Sequence, residues 1–314
     1  MKAVYIDQYG GSENMKYGEL GKPVPASNEV LIHMKAASVN PVDWKVREGR
    51  LSFITGKKFP FILGTELSGI VEDKGNRVKG FEKGDRVLAA IGYKGGAYAE
   101  YVAVNKEKVV KIPDDLNHET ASTVVVAGII ALQAFRLHCK VKPGDEVLVN
   151  GASGGVGSYA VQIAKVLGAR VTAVCSAKNA EYVKELGADA VIDYGVDDFR
   201  SWKNSFDVIL DAASNAVYKE VKKSLKRGGI LIKLNLSIGT ILTRLRTCFF
   251  SSKKLKLILV KNRHSDIRWL IKQLTSENIK IFIEKTYPLE SAKEALENNQ
   301  RGRVRGKLVL KNMD

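Results

Sequence analysis

The segment Asn150-Gly151-Ala152-Ser153-Gly154-Gly155-Val156-Gly157 joins an apolar run, Glu146-Val147-Leu148-Val149, to an amphipathic stretch from Ser158 to Leu167. A strand, a glycine-rich turn and a helix in that order suit the binding of a pyrophosphate, because its oxygens need backbone N–H groups at close range. Side chains would block that approach. Gly154, Gly155 and Gly157 remove the obstruction, and Ser153 and Val156 belong to the same cradle. The spacing of Gly151, Gly154 and Gly157 is G-x-x-G-x-x-G, a variant of the commoner G-x-G-x-x-G. A tight strand–helix turn without a ligand is the competing reading, and the flanking pattern favours a dinucleotide.

The residues after the next strand select among dinucleotides. That strand reads Arg170-Val171-Thr172-Ala173-Val174-Cys175 and runs into Ser176-Ala177-Lys178-Asn179, with no Asp or Glu to accept a ribose 2′-hydroxyl. A hydroxyl and a cation stand there instead, which suits a 2′-phosphate. Tyr194 ends the third strand, Ala190-Val191-Ile192-Asp193-Tyr194, at the same edge. Ser176, Lys178 and Tyr194 together predict NADP(H). The alternative for Lys178 is a solvated surface lysine in a basic chain.

These residues need a scaffold. Strands are expected at 146–150, 170–175, 190–194, 206–212 and 229–234, separated by helical or loop segments, with 254–260 as a sixth. That alternation predicts βαβ units and a parallel sheet. Before it, 1–119 reads as short strands and turns: Val30–Lys35, Gly69–Glu72, Gly84–Leu88, and another starting at Gly95–Tyr101. Glu119 to Cys139 reads as one long, largely buried helix. After Asn262 come a helix over 265–277, an extended segment at 279–283, a helix over 289–298 and a strand at 306–310, which returns to the first domain.

The chain has 314 residues, 45% hydrophobic and 27% charged, as in an ordinary globular enzyme of two domains. Met1 leads straight into a strand pattern, and no apolar stretch approaches membrane-spanning length. Three scattered cysteines, Cys139, Cys175 and Cys248, suit reduced thiols and a cytoplasmic location. The net charge of +16 fits RNA or an anionic membrane as a partner. It equally fits a lysine-rich background around a phosphate-bearing cofactor, and the spread of the lysines favours this second reading. The densest cluster, Arg244 to Lys261, is interleaved with Leu and Phe like a strand or groove wall.

Four motifs taken together resemble the zinc-independent medium-chain dehydrogenases/reductases of the quinone oxidoreductase family, over essentially the full length. They are Gly64-Thr65-Glu66-Leu67-Ser68-Gly69, Lys83-Gly84-Asp85-Arg86-Val87, the glycine turn, and Lys184-Glu185-Leu186-Gly187-Ala188-Asp189. Val39–Lys45 and Cys175–Asn179 look most like the chloroplast-envelope quinone oxidoreductase and alkenal/enone oxidoreductase branch. The resemblance implies an α/β fold with a GroES-like catalytic domain, 1–119 and 262–314, and a Rossmann domain, 120–261, with strand order 3-2-1-4-5-6. It also implies a homodimer through edge strands.

Zinc-binding relatives carry a Cys near Asn40 to Val42 and a His in the slot of Thr65; both ligands are absent, and the four histidines show no ligand spacing. The resemblance therefore implies hydride transfer from NADPH to an acceptor that is already electron-poor, a quinone or the C=C bond of an enone. It assigns Asn40 a polar contact near the nicotinamide and puts Thr65 in the same pocket. Lys45 or Tyr98 would hydrogen-bond the developing oxyanion; for Tyr98 a buried packing aromatic is an equal reading. Val126, Leu234 in the loop Leu234–Ser237, and Lys307 complete the residues expected to meet the cofactor. Ile130 stands where relatives carry a cofactor-contacting Thr. An enoyl-thioester reductase and a non-catalytic NADPH-binding protein held on RNA or membrane are the alternatives.

Overall fold

A computed structural model describes residues 1–235, 237–258 and 260–312. The chain forms two compact units, one of Met1–Val126, Asn262–Thr275 and Phe282–Asp314, the other of Ala127–Lys261 and Ser276–Ile281. Along the chain the first unit contributes β1 (Lys2–Ile6), β2 (Met15–Glu19), β3 (Glu29–Val39), helices α1 (Pro41–Arg47) and α2 (Ser52–Thr55), β4 (Phe61–Ile62), β5 (Glu66–Lys74), β6 (Arg86–Ala90), β7 (Tyr101–Asn105), β8 (Val109–Lys111) and α3 (His118–Ala121). Gly95 and Gly96, at φ +68° and +120°, hold the chain out of strand geometry, so the strand expected from Gly95 begins only at Tyr101. The expected long helix over Glu119–Cys139 is instead interrupted: α3 is followed by a π turn at Val124–Gly128, then α4 (Ile129–Gln133) and a second π turn at Ala134–Cys139. Three successive valines, stiff at χ1, oppose regular helix there, and π turns often accompany functional sites.

The second unit holds β9 (Glu146–Asn150), α5 (Gly155–Val166), β10 (Arg170–Cys175), α6 (Ala180–Glu185), β11 (Ala190–Asp193), β12 (Phe206–Asp211), α7 (Tyr218–Val221), β13 (Leu225–Lys233), α8 (Ile238–Phe250) and β14 (Lys254–Leu257). β13 starts four residues earlier than expected. Arg244–Lys261 is not a strand throughout: Ser237 accepts the Thr240 N–H as an N-cap and starts a helix whose last turns include Arg244 and Arg246. β14 occupies the start of the expected 254–260 strand, and Leu259 lies outside the described residues. The chain then adds α9 (His264–Thr275), β15 (Ile283–Pro288), α10 (Ala292–Gln300) and β16 (Lys307–Lys311), so the segment expected to be extended from 279 becomes strand only at Ile283.

Among the described residues, the second unit's sheet runs β11-β10-β9-β12-β13-β14, and all its pairings are parallel. This is the 3-2-1-4-5-6 order of a Rossmann sheet, with the reversal beside β9. Leu148, Ile209, Leu231 and Leu255 are buried in its core, as parallel strands covered on both faces require. The first unit's main sheet runs β15-β16-β3-β5-β6-β8, with β7 also on β3. β16 lies antiparallel to β3, Leu308 opposite Val39, and parallel to β15. That register sets Lys307 at the end of β3, where α1 begins. Ile32, Met34, Leu63, Leu67 and Tyr98 form the fully buried centre of this unit.

Candidate active site

The glycine turn of the second unit has the shape its sequence suggested. Gly151 sits at φ +80°, and a Cβ on Gly157 would stand 2.1 Å from the Gly151 carbonyl oxygen, so α5 packs directly on the turn. A Cβ on Gly154, by contrast, would meet only that carbonyl, at 3.6 Å, which leaves the backbone there open to a ligand. Gly154 is the N-cap of α5 and supplies no side chain to the helix's first N–H groups. Unsatisfied donors at a helix N-terminus are an anion site.

Asn179, buried and not anticipated as a site residue, ties this turn to the end of β10. Its Nδ2 donates to Ser153 Oγ at 3.1 Å and to Ser176 Oγ at 3.3 Å. Ser176 is half-buried, while Lys178 and Tyr194 are exposed. The Tyr194 N–H donates to the Cys175 carbonyl at 3.1 Å, so the ends of β10 and β11 adjoin and all three expected phosphate-binding residues share one edge of the sheet. A cavity of about 160 Å³ opens at the carboxyl ends of the strands, lined by Asn150, Gly151, Val174, Tyr194, Arg200 and Asn215 among others. Beneath it, fully buried Asp211 accepts from Asn150 Nδ2 at 2.8 Å and from the Ala216 N–H at 2.9 Å. Leu234 lies half-buried just past β13, and Leu236 of the same loop is outside the described residues.

In the first unit the expected residues fall into one buried polar network. Pro41 at the first turn of α1 fixes the chain after Asn40, and the Asn40 N–H donates to Asp43 Oδ2 at 2.8 Å. Asn40 Nδ2 donates to Glu66 Oε1 at 2.9 Å and to Ser38 Oγ at 3.1 Å. Its Oδ1 accepts from Lys307 Nζ at 2.7 Å. Ser38 Oγ donates to Glu66 Oε1 at 2.6 Å, and Glu66 Oε2 accepts the Val126 N–H at 2.8 Å. Val126 and Lys307, both expected to meet the cofactor, thus serve Glu66 and Asn40: the Lys307 side chain is only 4% exposed and lies 4.0 Å from Glu66.

Tyr98 is fully buried, its hydroxyl within 2.8 Å of Asp43 Oδ2 and 3.3 Å of the Ser38 carbonyl. A hydroxyl so engaged cannot donate to a substrate oxyanion as it stands, so Tyr98 takes the packing reading and acts on Asp43. Its ring fits because Gly64 faces it, where a Cβ would come within 2.3 Å of the ring. Thr65 Oγ1 and Asp43 Oδ1 are buried without a hydrogen-bond partner. Thr65 lies beside Asp43 and, with Tyr98 and Asn40, favours its carboxylate form, although its Oγ1 does not reach full hydrogen-bond geometry. Burial is the dominant influence on Asp43 and pushes its carboxyl up to about 7, against the hydrogen bonds from Tyr98 and Asn40. The network holds Lys307 against two carboxylates, and protonating Asp43 neutralises it. Burial lowers the Lys307 ammonium pKa and, with Arg50 nearby, that of half-buried Lys45. Asp43, Glu66 and Ser38 escaped sequence reasoning, although a charged Glu66 at the head of the buried half of β5 was a visible signal.

Residues 26–114 match the family described as alcohol dehydrogenase GroES-like domain, and 186–310 the one described as zinc-binding dehydrogenase. The chain is 32% identical over 322 residues to the chloroplast envelope quinone oxidoreductase homolog of Arabidopsis thaliana, covering 99% of this chain and 98% of that one. The quinone oxidoreductase of Coxiella burnetii superposes with a TM-score of 0.92 at 30% identity over 99% of both chains. Mycobacterial Rv1454c complexed with NADPH superposes at 0.84, with 27% identity over 99% of this chain and 100% of that one.

Proposed function

The chain belongs to the quinone oxidoreductase family of medium-chain dehydrogenases/reductases, and from that premise we propose that it reduces quinones, or the C=C bond of α,β-unsaturated carbonyls, with NADPH and without zinc. The donor set around Asn40 carries this reading. The resemblance sets the amide of Asn40 and the hydroxyl of Thr65 against the thiolate and imidazole of zinc-binding relatives. Among the described residues no three His, Cys, Asp or Glu side chains gather to hold a metal ion. Such a donor set suits an acceptor whose own conjugation lowers the barrier.

NADPH, when bound, supplies the hydride. The uncapped start of α5 and the bare backbone at Gly154 fit its pyrophosphate. Ser176, Lys178 and Tyr194 fit its 2′-phosphate, with no acidic side chain at the end of β10 to favour the unphosphorylated ribose. In the first unit, the unpartnered Thr65 hydroxyl is the group we assign to the acceptor oxygen as charge develops there. Asp43, titrating near 7, is the proton source we assign behind it. Lys45, made more acidic by burial, is the second candidate for that oxygen. Asn40 and Tyr98, with their polar groups spent inside the network, act as positioning residues.

The family resemblance also supports a homodimer paired through edge strands. Three free cysteines suit the reducing cytoplasm. No helix among the described residues is long and apolar enough to cross a membrane.

A spectrophotometric screen of NADPH oxidation tests the reading, with quinones, short enones, enoyl thioesters and simple ketones as acceptors. Turnover with quinones or enones, kept in chelator by protein free of zinc, is the expected result. Efficient turnover confined to simple ketones or alcohols, or a stoichiometric zinc lost together with activity, would overturn it.

A further inference from the structure

We propose that Asn150 and Asn215 read the base of the dinucleotide and select adenine by its edge. The inference rests on NADPH as the cofactor and on Ser176, Lys178 and Tyr194 as the residues around its 2′-phosphate. Tyr194 also lines the cavity of about 160 Å³, as do Gly151 and Val174. Base and 2′-phosphate hang from adjacent carbons of one ribose, so a phosphate beside Tyr194 brings the base to this cavity. Cavities of about 150 Å³ hold a benzene ring, so a flat heterocycle fits. Asp197 and Asp198 in the wall repel a phosphate. Arg200, gripped by Asp198 at 2.8 Å and by Glu220 at 3.0 Å, adds a fixed planar cation on which a base can stack.

Asp211 sets the hydrogen-bonding pattern of the lining. It accepts the Asn215 N–H at 3.3 Å and the Ala216 N–H at 2.9 Å, one at each oxygen, and so holds a loop in which Ser214 stands at φ +60°. An amide atom 2.8 Å from that carboxylate must be a donor, which fixes Asn150 with its Nδ2 toward Asp211. The same Nδ2 donates to Asn215 Oδ1 at 2.7 Å, so both of its hydrogens are used and the second amide is fixed in turn. What remains for the cavity is one acceptor, Asn150 Oδ1, and one donor, Asn215 Nδ2. Neither atom has a partner among the described residues, and neither amide can turn over without breaking the chain that starts at Asp211. N9 of a purine carries the ribose, so the edge that enters a cavity first is the opposite one. In adenine that edge offers N6–H₂ as donor and N1 as acceptor, which matches the two amides. Hypoxanthine and guanine present O6 and N1–H there, the reverse pattern.

Calorimetric titration of the full chain with NADPH and with its hypoxanthine analogue tests this. The analogue should bind about 25-fold more weakly, from roughly fivefold for each inverted contact. In Asn215→Ala one of the two contacts is gone, and the ratio should shrink to about fivefold in a variant whose circular dichroism is unchanged. Lys178→Ala should weaken both cofactors alike and leave the ratio as it was, which separates reading of the base from reading of the phosphate. Equal affinity of the parent protein for the two cofactors would overturn the proposal and leave the NADPH assignment intact. A ratio unaltered by Asn215→Ala in a folded variant would also overturn it. Binding of neither cofactor would overturn the assignment and the proposal together.

Discussion

Lys307 Nζ donates to Asn40 Oδ1 at 2.7 Å, across 267 positions of sequence, and the same amide donates through Nδ2 to Glu66. A buried cation and a buried carboxylate 4.0 Å apart are thereby joined through one side chain. Each end of the amide has a partner of the opposite kind, which fixes its orientation. Glu66 in turn holds the Val126 N–H in the π turn, so the charge pair also anchors the segment that follows α3.

Lys307→Met keeps most of the stem's volume and removes the charge. Glu66 is then left buried without its cation, a change that costs about 3–5 kcal/mol in comparable pairs. Urea unfolding should show a loss of that order, and NADPH turnover should fall. Adding Glu66→Gln removes the orphaned charge, and the double variant should recover most of the stability. A single variant as stable as the parent would remove Lys307 from the network.

Thr65→Val separates folding from catalysis. The hydroxyl makes at most a long contact to Asp43 in the folded protein, so its removal should change stability by no more than about 1 kcal/mol. If the hydroxyl meets the acceptor during reduction, kcat should drop roughly tenfold while NADPH affinity holds. Stopped-flow turnover beside a cofactor titration reads both, and equal kcat in the two proteins would discard Thr65 as a reacting group.

Asp43 makes stability depend on pH. Its carboxyl rises from 3.8 to about 7 on folding, so its contribution is fully present below pH 4 and is lost as pH climbs through 7. The loss amounts to a few kcal/mol across that window. His118 works in the opposite sense: burial and then Arg86 push it from 6.5 down to about 4, and its contribution is lost as pH falls through that interval. Denaturant titrations of Asp43→Asn should lack the decline toward neutral pH and keep the acid loss caused by His118. An unaltered profile would show that Asp43 is ionised throughout.

Lys178→Ala should weaken NADPH by roughly tenfold or more and leave NADH nearly unchanged, because a charge-assisted contact to the 2′-phosphate is lost. Isothermal titration with both cofactors decides it. Equal affinities in the parent protein would mean that Ser176, Lys178 and Tyr194 do not read the phosphate.

The glycine turn was legible because its geometry is local. Gly151, Gly154 and Gly157 answer to backbone geometry within one turn, and βαβ alternation orders the strands around it. The network around Asn40 was only half legible. Asn40 and Thr65 stood out by position, but their partners arrive from β3, β5 and β16, and no spacing rule links residues 40, 66 and 307. Lys307 therefore read as a cofactor residue alone, and its bond to Asn40, set by strand pairing, had no signal in the sequence. α8 escaped for another reason: its pattern of Leu, Phe and Arg fits a groove wall as well as a helix, and only packing reveals that Thr247 faces in.

The register of β16 carries a consequence for biosynthesis. A ribosome delivers Asn40, Asp43, Glu66 and Tyr98 long before Lys307. In the interval Ala36–Val39 of β3 lack the partner that β16 later provides, and Glu66 faces no ammonium. The strands of the second unit's sheet, all between 146 and 257, have thus been delivered while the buried network of the other unit still lacks its cation.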